Sequence, residues 1–229
     1  MARGAAQIQW ILFDLGDVIV DYQPRGVSHM ARDLGVGVDV VDAALASDLV
    51  EEACTGALSP PDLAQRLSKQ LGVMISGEDM ARWFAADVAT VFPELVPILE
   101  ILSWHHQLGI LSNTFFAHWD AFLELPVAGL FEQKMASHLL GLLKPDERIY
   151  RAALTRMDTQ PEHVLFIDDK LENVEAARAI GMDAFQSTSP AETIRGLEQR
   201  EILPTFAPPP AVTRERFLEW RSPRCSTLP

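Results

Sequence analysis

The stretch QWILFDLGDVIVDYQP, residues 9–24, decides the fold. An apolar run of strand composition stops abruptly at Asp14, and Asp17 and Asp21 follow in a segment whose Gly16 and Pro24 mark a loop. A strand that lacks polar alternation is one buried on both faces, as in a parallel sheet. A carboxylate at the end of such a strand needs a reason to be there.

Working outward, residues from about 25 to 90 read as helical. VDVVDAALASDLVEEACTG is apolar at helical spacing and stops at Gly56. In SPPDLAQRLSKQLG, Ser59 is placed to cap, the prolines fit the first turn and Gly72 ends the helix. SGEDMARWFAADVA forms another short helix. With no obvious strand in it, this stretch predicts an inserted helical module.

From Pro93 helices alternate with short apolar strands. The helix PELVPILEILSWHHQLG precedes the strand GILSN, and FFAHWDAFLEL precedes the strand-like KMASHLL. DERIYRAALTRM then leads to HVLFIDD, LENVEAARAIG to MDAFQS, and PAETIRGLEQR closes the series. That alternation predicts an α/β fold with a parallel sheet covered on both faces. Ligands of such sheets sit beyond the carboxyl ends of the strands. Three strand ends carry polar groups there: Asp14, then Ser112 and Asn113, then Asp168 and Asp169. The predicted organisation is a core of residues 1–20 and 93–200, a helical cap of residues 21–92, and a Pro-rich tail of residues 201–229. That tail either docks through Phe217 and Trp220 or stays disordered.

With 229 residues, 48% of them hydrophobic, the chain is long enough to bury a substantial core. Its formal charge of -13 repels nucleic acid and anionic membranes at long range, so neither is an expected partner. An acidic chain that handles phosphate needs local cations. No apolar run reaches the roughly 20 residues that span a bilayer, and the N-terminus is too short and too quickly acidic for a signal peptide. These features predict a cytoplasmic protein. Cys54 and Cys225 have neither CxxC nor Cys/His spacing, so no zinc site or disulfide framework is expected.

A strand-end carboxylate can attack phosphorus if a divalent cation screens the repulsion between two anions. Asp14 and Asp169 offer hard oxygen ligands that suit Mg²⁺, and an aspartyl-phosphate would follow. Ser112 and the backbone N–H groups around Asn113 can bind the phosphoryl oxygens, with the point charge of Lys144 beside them.

Four segments in this order, FDLGDVIVD, ILSNT, LKPDERIY and VLFIDDKLENVEAA, resemble the motifs of the haloacid dehalogenase-like (HAD) hydrolase superfamily. The resemblance covers roughly residues 8–200 and is to the branch with a helical cap inserted after the first strand (subfamily IA). It implies a Rossmann-like three-layer core with an α-helical cap, and a phosphatase that uses Mg²⁺. In family terms Asp14 is the nucleophile, Ser112 and Asn113 bind phosphate, and Lys144 is the lysine of the third motif. Asp14, the Gly16 carbonyl and Asp169 hold the metal, with Asp168 supporting Lys144 or the metal shell.

One departure stands out. Family phosphatases carry a second aspartate two residues after the nucleophile as general acid, where this chain has Gly16. Asp17, one place further on, should point to the opposite face unless the loop twists it back, and is not counted as an equivalent; at most it supports the site from behind the reacting groups. A lost general acid costs about 10²–10⁴ in rate. The same glycine occurs in the similar branch of sugar-phosphate phosphatases, the alpha-D-glucose-1-phosphate phosphatase-like members. The resemblance therefore implies a small-molecule phosphate ester, a sugar phosphate by this branch, handled by a monomer or homodimer. Tyr22, Arg25 and His29, where the cap leaves the core, are candidates to read the sugar. His105 and His106 are expected to complement a helix dipole, and His118 and Trp119 to line the site or to pack. Two other readings remain: a catalytically silent phosphate-binding or regulatory protein, favoured by Gly16, and a 2-haloacid dehalogenase. The acidic pair Asp168–Asp169 would repel the carboxylate substrate of the latter.

Overall fold

The computed structural model describes residues 7–45, 47–88 and 90–203. From the N-terminus, β1 (Trp10–Phe13) is followed by a short β2 (Val20–Asp21). Five helices come next: α1 (Gly26–Leu34), α2 (Val38–Ala44), α3 (Ser47–Cys54), α4 (Pro60–Leu71) and α5 (Gly77–Ala85). A two-residue β3 (Thr90–Val91) then precedes α6 (Val96–Ser103), β4 (Gln107–Ser112), α7 (Phe116–Leu123), β5 (Gln133–Ala136) and α8 (Ser137–Leu140). The chain continues through α9 (Glu147–Met157), β6 (Val164–Asp168), α10 (Leu171–Ala179), β7 (Asp183–Gln186) and α11 (Pro190–Gln199).

Five strands form a parallel sheet in the order β5-β4-β1-β6-β7. The order reverses beside β1, which has β4 on one side and β6 on the other, so Asp14 and Asp168 emerge from adjacent strands at the switch point. The two-residue side-chain period sends Ile11 and Phe13 to one face, against Leu99, Leu102 and Phe122. Trp10 and Leu12 go to the other, against Tyr150, Met157 and Val174. Both faces are thus covered by helices, as the uninterrupted apolar run requires.

The helices α1–α5 have a core of their own, built on Met30, Leu67, Met80 and Trp83 and shared with Phe115 at the start of α7. Their ends follow local chemistry. Ser59 accepts the Asp62 N–H at 3.3 Å, Pro60 and Pro61 fill the first turn of α4, and Gly72 ends it at φ 68°. Ser76 caps α5 by accepting the Asp79 N–H at 3.0 Å.

Several boundaries differ from the sequence reading. The expected single helix over residues 38–56 breaks after Ala44, which lets both α2 and α3 turn apolar residues toward α4. The helix expected to reach Gly109 ends at Ser103, because Gln107 already pairs with Trp10 in the sheet. His106 therefore lies between elements, its Nδ1 3.1 Å from the Ile8 carbonyl, and complements no helix end. Segment 134–140 is half strand and half helix. A strand pair also borders the helical module: β2 and β3 join antiparallel through Val20–Val91 and Asp21–Thr90. The docking of Phe217 and Trp220, with the tail from residue 204 onward, lies outside the described residues. Among the described residues no helix is long and apolar enough to cross a membrane.

The helical module meets the sheet's loops at two seams. At one, the Ser137 hydroxyl donates to the Cys54 carbonyl at 2.6 Å, and Gly56, at φ 71°, backs onto α8. A Cβ there would lie 2.1 Å from the His138 carbonyl oxygen, a backbone atom that cannot swing away. At the other, the buried Asp87 carboxylate accepts the Gly26 N–H at 2.6 Å and the His118 imidazole at 3.0 Å. Gly56→Ala combines a left-handed backbone with that clash. It should lose about 2 kcal/mol or more, which for a chain of this size is roughly 4–8 °C in Tm; differential scanning calorimetry would check this.

Candidate active site

The loop after β1 is set by the strand itself. The Asp14 N–H extends the ladder by donating to the Ile167 carbonyl at 2.8 Å, which fixes the carboxylate at the sheet's edge. The chain then turns tightly: the N–H groups of Ile19 and Val20 both donate to the Leu15 carbonyl, at 2.9 and 3.0 Å. Leu15, Val18, Ile19 and Val20 are buried in the core, so the turn is anchored by apolar packing. Asp17 sits at its apex with φ 57°, accepting the Tyr22 N–H at 3.3 Å.

Lys144 is brought to Asp14 from the loop between α8 and α9. Its ammonium, with a side chain 0% exposed, donates to Asp14 Oδ1 and to Asp168 Oδ2, both at 2.7 Å. The Asn113 side chain holds the lysine backbone from both sides, donating to the Lys144 carbonyl and accepting its N–H, each at 2.8 Å. Asp168 is saturated: its second oxygen accepts the Lys170 N–H at 2.9 Å and the Asn173 amide at 2.8 Å, at the start of α10. Among the described residues the Ser112 hydroxyl, though buried, makes no hydrogen bond, and the Asp169 carboxylate is bonded by no other side chain.

The electrostatics follow from burial. Desolvation pushes the Asp14 pKa up to about 7, with Lys144 pulling it down and Asp168 pushing it further up. Burial alone would disfavour the Lys144 charge, but the two carboxylates outweigh it and hold its pKa above the ordinary lysine range. Asp169 is raised by desolvation and by its neighbour Asp168. An acidic cluster with its carboxyl pKa values raised this way gains from a cation.

Carboxylate oxygens of Asp14, Asp168 and Asp169 lie within 4.8 Å of one another. This all-oxygen donor set fits a hard divalent cation such as Mg²⁺ and offers nothing to a thiophilic metal. Since Asp168 is already committed to three donors, Asp14 and Asp169 are the carboxylates free to ligate.

These groups open into one cavity of about 480 Å³ lying between the strand ends and the helical module. Asp14, Gly16, Asp17, Ser112, Asn113, Lys144 and Asp169 line its base, and Tyr22 and His118 its side. Asp168 is buried beneath the floor and is held by three residues that line the cavity, Lys144, Lys170 and Asn173. Arg25 and His29 are not part of the lining: Arg25 is exposed at the start of α1, one turn before His29. The candidate set thus divides, with Tyr22 facing the cavity and the other two outside it. Trp119 packs in the sheet core.

Sequence reasoning missed Asp87, which carries His118, and Ser137, whose hydroxyl accepts the Thr114 N–H at 2.9 Å and bridges to Cys54. Nothing local in the sequence distinguishes Asp87 from an acidic surface residue; only the fold buries it. Gly16 is not forced by space, since an added Cβ would meet only Tyr22 Cβ, at 3.7 Å.

Comparisons with known proteins bear on the family and the fold. Residues 8–181 match the family model of the haloacid dehalogenase-like hydrolases. The sesquiterpene phosphatase astK of Aspergillus oryzae is 28% identical over 193 residues, 82% of this chain and 94% of that protein. A glyceraldehyde 3-phosphate phosphatase of Methanothermobacter thermautotrophicus is 26% identical over 203 residues, 76% of this chain and 83% of that one. Among solved structures, a HAD family enzyme of Bacteroides thetaiotaomicron, in complex with magnesium and inorganic phosphate, superposes with a TM-score of 0.71 at 21% identity, covering 78% of this chain and 93% of that one.

Replacing Lys144 tests how the site is held. Lys144→Met leaves two buried carboxylates facing each other without their counter-ion. It should destabilise the metal-free protein by about 3–5 kcal/mol, read by urea denaturation. Added Mg²⁺ should recover part of the loss.

Proposed function

The chain belongs to the haloacid dehalogenase-like hydrolase family, and on that premise we propose that it hydrolyses a small phosphomonoester through an aspartyl-phosphate on Asp14. The observation that carries this reading is the convergence of Asp14, Ser112, Lys144 and Asp169 on one cavity. Asp14 and Asp169, with the carbonyl of Gly16, are the groups to hold Mg²⁺, which when bound screens the charge of the phosphate from that of the nucleophile. The rest is work for the chain's own side chains.

Asp14 attacks phosphorus; an Oδ–P bond forms and the bond from phosphorus to the alcohol oxygen breaks. Lys144 and the Ser112 hydroxyl take the phosphoryl oxygens, while Asn113 acts on Lys144 by fixing its backbone. Lys144 also orients Asp14, because one ammonium bonds both Asp14 and Asp168. Water then attacks the phospho-aspartate, the P–O bond to Asp14 breaks, and inorganic phosphate leaves. Asp17 supplies the proton to the departing alkoxide and takes one from the attacking water. In support of this, its left-handed backbone turns the residue into the lining of the same cavity, one place beyond the position where related phosphatases carry their acid. The helices α1–α5 act as a cap that excludes water from the reaction.

The relatives support a phosphate ester and differ on the rest of the molecule, glyceraldehyde 3-phosphate in one case and a sesquiterpene in another. A sugar phosphate and a terpenoid phosphate both follow from those names. Gly16 supports the competing reading of a silent phosphate-binding protein, which predicts Mg²⁺ binding without turnover.

Phosphate release from a panel of esters decides between them. Turnover should require Mg²⁺, vanish on adding EDTA, and fall below detection in Asp14→Asn; release that survives Asp14→Asn would refute the nucleophile.

Asp17 has a separate signature. Asp17→Asn should cut kcat about 10²-fold for alkyl esters, whose leaving groups need a proton, and less than about tenfold for aryl esters, which leave as anions. Gly16→Asp, whose Cβ would meet nothing closer than 3.7 Å, should restore part of the alkyl rate in the Asp17→Asn background. Equal losses on both kinds of ester would remove Asp17 from the proton transfer.

A further inference from the structure

The two ends of the cavity differ in chemistry. Its base carries the ionic groups already described. The wall that rises into the helical module is formed by Val27, Leu45, Val50, Leu63, Phe84 and Phe115. The wall's aromatic rings are packed edge to face: Phe84 meets Phe115 at 5.3 Å between centroids, and Phe115 meets His118 at 4.4 Å. They form a rigid apolar platform that does not collapse into the space.

What matters for selectivity is the state of the polar groups near that platform. The two carboxylate oxygens of Asp87 are taken by the Gly26 N–H and by His118. The Asn113 amide is engaged by Lys144 and the Asn173 amide by Asp168. The Thr114 hydroxyl turns onto the Phe115 carbonyl. Asp42 is exposed at the rim. A polyol or sugar bound above the phosphate would bury several hydroxyls and, apart from the Tyr22 hydroxyl and the Lys170 ammonium that also line the cavity, find few free partners, and an unpartnered hydroxyl is costly to desolvate. Arg25 and His29, the polar groups expected to read a sugar, lie outside the lining.

Resting on the phosphatase reading above, we infer that the ester accepted by this site carries an extended hydrocarbon group, alkyl or prenyl, which lies along the Val27–Leu45–Val50–Leu63 wall while its phosphate meets Asp14 and Lys144. The hydrocarbon contributes binding energy remote from the reacting phosphorus, which the enzyme can use to position the phosphate. Tyr22, its hydroxyl pKa pushed up to about 12 by burial and by Asp87, stands between the two ends as a neutral group.

The test is a homologous series below critical micelle concentrations: ethyl, butyl, octyl and farnesyl phosphate, against glycerol 3-phosphate, ribitol 5-phosphate and glucose 1-phosphate. Each methylene that enters the wall should raise kcat/KM about threefold to fourfold, so that octyl phosphate, if four or more of its six extra methylenes enter, exceeds ethyl phosphate by roughly a hundredfold or more. Val50, 40% exposed, tolerates a polar replacement without loss of the fold. Val50→Asp should lower the octyl-to-ethyl ratio at least about fivefold, with Tm as the control for folding. Polyol esters turned over as well as octyl phosphate, or a flat series, would overturn the inference and leave the phosphatase reading standing. If no ester is hydrolysed, that reading fails, and calorimetric binding of octyl against ethyl phosphate decides this one: tighter octyl binding by tenfold or more supports it, and equal affinities overturn it.

Discussion

One lysine ammonium, shut away from water between two carboxylates, is the interaction on which the rest of the site depends. Lys144 reaches Asp14 and Asp168 at the same short distance, so it joins the ends of β1 and β6 as well as neutralising them. Two buried carboxylates on adjacent parallel strands would otherwise repel each other at the point where the sheet's order reverses. Breaking such a buried arrangement costs several kcal/mol because it strands a charge. The surrounding structure is organised to keep the lysine in place: the Asn113 amide grips its backbone, and Asp168 is held by Lys170 and Asn173. Asn113 follows β4, while Asp168, Lys170 and Asn173 come from the end of β6 and the start of α10, and that edge is where the fold concentrates reactive groups.

Much of this was legible in the sequence. The run that ends at Asp14 could only be a strand covered on both faces, and the structure divides its four residues alternately between two helical layers. Ser112, Lys144 and Asp169 were recognisable because each stands in a short segment whose order along the chain matches a known pattern. Less legible were groups whose importance comes from contacts across long sequence distances. Asp87 lies in a turn after a helix and looks like one more acidic surface residue, yet the fold buries it and gives it a backbone N–H and an imidazole to hold. The Asn113–Lys144 clamp spans 31 positions and has no local signature. Arg25 and His29 illustrate the opposite failure, since polar residues near the exit of β1 look well placed until the direction of α1 is known.

The cavity joins these two halves. Its ionic base is the product of strand ends in the sheet, whereas its apolar wall is the product of five amphipathic helices that cannot bury all of their hydrophobic faces against one another. Most of the wall and the ionic groups thus come from separate stretches of the chain, and Phe115, two residues after Asn113, is where they meet.

The strand pair β2–β3 gives that separation a mechanical side. The chain crosses from the sheet into the helical module just after Asp21 and returns at Thr90, and these two residues are paired side by side. Two crossings stitched together make a single narrow strap in place of two independent tethers. Bending of such a strap would rotate the helical module about one axis, set by the paired strands. Swinging on that axis would part the Cys54–Ser137 contact while the His118–Asp87–Gly26 contact, close to the strap, stays nearly still. The cavity would then open at one edge while it is held at the other.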